Sequence, residues 1–154
     1  MQFPPGLRHV IAETHLFTDA KNYVILRLPG QQYEDSMKLA AKLTTPCVAL
    51  IKDKDEVTLL LPRDEWENLH PTLDVLEESP DYRLITFDLP LDLGLVGYLA
   101  AMAGAIAEKG VSIFTISAFS RDHVFVPAED FEQAWDALRD RIRSCRLEEE
   151  AERS

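Results

Sequence analysis

The chain has 154 residues, 46% hydrophobic and 28% charged, which supports a packed core and excludes intrinsic disorder. Its formal net charge of -11 makes nucleic acid and anionic membrane poor partners. No apolar run approaches the roughly 18 residues of a membrane span. Met1-Gln2-Phe3-Pro4-Pro5-Gly6 carries no leader pattern, so a cytoplasmic location with both cysteines, Cys47 and Cys145, reduced is expected.

In chain order, His9-Val10-Ile11-Ala12 reads as a short strand. Tyr23 to Leu28 is a strand ended by Pro29, followed by a helix through Tyr33, Met37, Ala40 and Ala41. Val48 to Ile51 and Val57 to Leu61 form a hairpin around Lys52–Glu56. Pro62 then opens a short helix with Asp64, Glu65 and Trp66.

The same order recurs. Tyr82 to Leu89 is a strand ended by Pro90. A helix is predicted over Gly94–Lys109, with Leu95, Leu99, Met102 and Ile106 on one face, small residues on another and Gly110 at its end. Val111 to Ala118 is apolar on both faces, as in a central covered strand. Phe119-Ser120-Arg121-Asp122 connects it to a strand over His123–Val126. Pro127 starts a last helix with the stripe Phe131, Ala134, Trp135, Leu138 and Ile142, acids first and arginines last.

Two β-α-β-β-α units predict an α+β protein of two tandem ferredoxin-like domains, with antiparallel sheets and helices on one face. The expected divisions are a first unit over residues 1–80, a second over 81–146, and a solvated acidic tail over 147–154. That fold normally has a fourth strand after its second helix, and His9–Ala12 is expected to fill the vacant edge.

No catalytic constellation stands out. There is no G-x-S-x-G elbow or Walker loop. Gly94-Leu95-Val96-Gly97 lacks the glycines of a dinucleotide fingerprint, and the four histidines have no ligand spacing. A non-enzymatic protein without metal or cofactor is expected. A binding constellation does stand out: Leu91-Asp92-Leu93-Gly94 leads into a helix amino end suited to a carboxylate, and Asp122 suits an ammonium or guanidinium. The same residues also fit a plain helix start and a plain turn.

Gly110-Val111-Ser112-Ile113-Phe114-Thr115-Ile116-Ser117-Ala118-Phe119-Ser120-Arg121-Asp122-His123-Val124-Phe125-Val126, with the helix start after it, resembles small tandem ACT-domain proteins. It is also similar to the CASTOR family of cytosolic arginine sensors that report to the TOR kinase pathway. The resemblance spans about Tyr23 to Leu138. It implies an amino-acid-binding regulatory module whose ligand is contacted by Gly94, Leu95 and Val96 and by Ala118, Phe119 and Asp122. Ala118 replaces a family threonine. Arg121 is a further departure, expected to pair with Asp122 and compete with a cationic ligand. With two units, half of an arginine sensor, a homodimer would rebuild the four-unit arrangement, with a regulated protein as the further partner. The rival reading is a divergent dimerisation or protein-interaction module that binds no small molecule.

Overall fold

Prolines punctuate this chain. Pro5 stands in the first turn of the first helix, while Pro29, Pro62 and Pro127 each end a strand directly before a helical turn. In the computed structural model, which describes residues 2–69 and 72–154, the elements are α1 (Pro5–Ala12), β1 (Leu16–Phe17), β2 (Asn22–Pro29), a 3-10 turn (Gly30–Gln32), α2 (Tyr33–Ala40), β3 (Ala49–Lys52), β4 (Glu56–Pro62) and α3 (Arg63–Asn68). There follow β5 (Glu77–Glu78), β6 (Tyr82–Phe87), α4 (Tyr98–Ala107), β7 (Phe114–Ser117), β8 (Asp122–Pro127), a second 3-10 turn (Ala128–Asp130) and α5 (Phe131–Arg153). They sort into two compact units: residues 20–83, and residues 1–19 together with 84–154.

In the unit of residues 20–83, β4 lies between β3 and β2, all antiparallel, and β5 pairs with β2. The period of two in β2 places Val24, Leu26 and Leu28 on the buried face with Val57, Leu59 and Leu61 of β4 and Leu39 of α2. Each such side chain removed from water contributes about 1.5–3 kcal/mol. The hairpin turn is fixed by Asp53, whose Oδ1 accepts the N–H groups of Asp55 and Glu56 at 2.8 Å each. Those bonds hold its carboxyl below the ordinary range.

In the other unit, β6 is flanked by β1 and β8, with β7 beyond β8 at the edge. Ile85, Phe87, Val124 and Val126 pack with Ile11 of α1, Met102 and Ile106 of α4, and Ala134 and Leu138 of α5. Arg141 of α5 lies over α4, its Nη1 donating to the Ala101 carbonyl at 2.6 Å, and a Cβ on Gly104 would meet it only at an ordinary contact distance of 3.6 Å.

Several expectations need correction. His9–Ala12 is the end of helix α1, not an edge strand: Leu7, Arg8, Ile11 and Ala12 are buried while His9 and Val10 between them are not, a paired pattern that fits helical turns and not strict alternation. Arg146 closes that helix from α5, donating to the carbonyls of Ala12 at 2.7 Å and Thr14 at 3.2 Å. Residues 1–19 pack with 84–154, not with the first half. Residues 147–153 are no free tail but the last turns of α5. There Glu149 accepts from Arg8 Nε at 2.8 Å and Glu152 accepts from its Nη2, leaving Arg8 only 5% exposed. Finally, β7 is an edge strand with Thr115 and Ser117 exposed, not a covered central one.

Candidate functional site

After β6 the chain runs through Leu91–Gly97 into α4, and two bonds shape that loop. Asp92 Oδ1 accepts the Gly94 N–H at 2.7 Å, and the Asp92 carbonyl accepts the Leu95 N–H at 3.0 Å. Across from it, the β7–β8 turn is closed by the Ala118 N–H donating to the Arg121 carbonyl at 2.9 Å. The Leu91 N–H donates to the Ser120 carbonyl at 2.7 Å, so loop and hairpin form two walls of one cleft. Its volume is about 300 Å³, at the lower end of small-molecule sites.

The helix α4 starts at Tyr98, not Gly94. Gly97 precedes it with φ +89°, a conformation that favours glycine, and a Cβ there would lie 3.3 Å from Leu7 Cδ2. No side chain caps this end, so the first-turn N–H groups, at Tyr98, Leu99 and Ala100, lack helical partners. All three residues line the cleft.

Of the residues expected at the site, Leu95, Ala118, Phe119 and Asp122 line this one cleft. Gly94 and Val96 do not: the Gly94 amide is engaged by Asp92, and Val96 is 83% exposed. Leu91, Asp92 and Leu93 of the expected loop line it too, while sequence reasoning missed Tyr98, Leu99 and Ala100. The signal was the loop itself, read one turn too early.

Arg121 pairs with Asp88, its Nε 3.0 Å from Oδ1, and not with Asp122 as expected. Among the described residues nothing pairs with the Asp122 carboxylate by hydrogen bond or salt bridge. Beneath the cleft, the Tyr98 hydroxyl donates to Thr14 Oγ1 at 2.7 Å, and Thr14 donates in turn to the Val10 carbonyl at 3.0 Å. Burial pushes the Tyr98 phenol well above its ordinary range, the negative charge of Asp122 adding to the effect. His123 bonds Thr86 Oγ1 through Nδ1 at 2.8 Å. Burial pushes its pKa down; Asp122 opposes that shift and Arg121 reinforces it.

Two other cavities are less organised. One of about 200 Å³, between α1 and α5, mixes Arg146 and Arg153 with Glu13, Glu149 and Glu150. Another, of about 300 Å³, lies beside α2 in the unit of residues 20–83. Among the described residues no cluster has the makings of a metal site, and no helix is long and apolar enough to cross a membrane. The Leu91–Asp122 cleft thus brings together one unpaired carboxylate, bare helix amides and leucine side chains, which are groups that bind.

No curated protein matches the sequence. A protein of unknown function from Vibrio cholerae is 26% identical over 88% of this chain and 95% of that one, with a TM-score of 0.69. The ligand-free regulatory subunit of aspartate kinase from Thermus thermophilus is 18% identical over 83% and 97%, with a TM-score of 0.60. Aspartate kinase of Clostridium acetobutylicum, an allosteric enzyme, is 13% identical over 82% of this chain and 34% of that one, with a TM-score of 0.61. The family model of the ACT domain matches residues 77–140, the stretch that builds both walls of the cleft, and the fold is an ACT-like α+β fold with antiparallel sheet and helices.

Proposed function

We propose that this chain is a non-catalytic regulatory protein of two tandem ACT-type units that binds a free amino acid in the Leu91–Asp122 cleft. The ligand's ammonium meets Asp122, and its carboxylate meets the amide end of α4 at Leu99 and Ala100. One observation carries this reading: a carboxylate with no protein partner shares a cleft of amino-acid size with an uncapped helix end. What supports a kinship with the arginine sensors is the sequence resemblance over residues 110–131. In the same reading the protein acts in the cytoplasm, as a homodimer, by passing ligand occupancy to a regulated protein.

Thermal melts against the twenty amino acids test it. A ligand at 100 times its Kd adds about 2.7 kcal/mol, roughly 5–10 °C for a chain of this size. Flat melts across the panel would contradict ligand binding. They would favour the second reading, a dimerisation or docking module, which draws on Leu93 and Phe119, 71% and 78% exposed at the cleft rim. Sedimentation of the unliganded protein tests that reading: a monomer at micromolar concentration removes its dimerising form.

A further inference from the structure

We infer that the cleft selects an amino acid with an uncharged, apolar side chain; this rests on the amino-acid reading of the same cleft. The charges at the cleft leave little for a charged side chain. Arg121 is matched by Asp88 at 3.0 Å, so an acidic side chain would have to compete for a guanidinium already paired. Asp92 is exposed, and its Oδ1 accepts the Gly94 N–H, so a cation bound there would sit in water, where an ion pair is weak. That leaves Asp122, which the ligand's own ammonium neutralises.

The rest of the lining carries no charge and, apart from Ser117, Ser120 and the Tyr98 hydroxyl, is apolar. Leu91, Leu95 and Leu99 line the cleft and pack against the core beneath it, while Phe119 stands at the rim. A ligand side chain laid on these leucines leaves water without leaving a charge unpaired. The ammonium fixes orientation, and the apolar side chain sets selectivity.

Calorimetric titration of the full chain with leucine, methionine, arginine and glutamate, each separately, tests this. Leucine or methionine should bind at least roughly tenfold tighter than arginine and glutamate, the scale of burying one apolar side chain. Tighter binding of arginine would overturn the selectivity and leave the amino-acid reading standing. No heat from any of the four would overturn the selectivity, and flat melts across all twenty amino acids as well would overturn both. Asp88→Asn, which releases Arg121, should raise glutamate affinity by about tenfold. Unchanged glutamate affinity in that variant would overturn the pairing argument.

Discussion

Arg121 places its Nε 3.0 Å from Asp88 Oδ1 and leaves its sequence neighbour Asp122 without a charge partner. The two residues adjoin β8 at its first position, where a strand turns successive side chains to opposite faces. One therefore faces Asp88 and the other is available to a ligand.

Asp122→Asn keeps the size of the side chain and removes its charge. It should weaken the binding amino acid by about 10- to 100-fold, the worth of a charge-assisted hydrogen bond. With no protein partner lost, the unliganded variant should melt within about 0.5 kcal/mol of wild type. Calorimetry and a thermal melt on the same sample separate the two effects.

Gly97→Ala forces a Cβ into a left-handed backbone position, 3.3 Å from Leu7 Cδ2. The strain should cost about 1–2 kcal/mol, or roughly 2–8 °C in Tm. A melt checks this, and a change under 1 °C would show that the loop relaxes freely.

Tyr98→Phe removes the hydroxyl that donates to Thr14 Oγ1 and keeps the edge-on packing on Phe87, whose ring centroid lies 5.6 Å away. Thr14 retains its bond to Val10, so the loss should be about 1 kcal/mol. Urea unfolding at constant m measures it.

Stability should fall in acid through Glu149. Its hydrogen bond from Arg8, chiefly, and a weaker one from His9 hold its carboxyl below the ordinary 4.5. A carboxylate depressed in the folded state stabilises the fold above its unfolded pKa and loses that contribution as pH falls through the folded value. Melts from pH 7 to 3 should therefore drop below about pH 4.5. In Glu149→Gln that drop should be shallower, with a lower Tm at pH 7.

Much of this architecture was legible in the residues. Strands β2, β4, β6 and β8 announced themselves by apolar runs, three of them closed by Pro29, Pro62 and Pro127 in the strand's last position. The amphipathic stripe of α5 from Phe131 to Ile142 was equally plain. What failed depended on distant partners. Val10-Ile11-Ala12 has strand-like composition, and only Pro4-Pro5 at the start, with Leu7, Ile11 and Ala12 falling at i, i+4 and i+5, pointed to a helix. Residues 147–153 looked solvated because their cation, Arg8, lies 141 residues from Glu149. At the cleft, Leu95, Ala118, Phe119 and Asp122 come together because one β-α-β-β order brings a loop and a hairpin to the same end. The helix start was misplaced because Gly94 and Gly97 look alike in sequence, while only Gly97 takes a positive φ.

The most direct test is an amide chemical-shift titration of the labelled protein with the amino acid that gives the largest melt shift. The account predicts the largest changes at Leu99, Ala100 and Asp122, with residues of the α1–α5 cavity such as Glu149 unmoved. Saturable changes centred on that cavity, with Leu99, Ala100 and Asp122 unchanged, would contradict it.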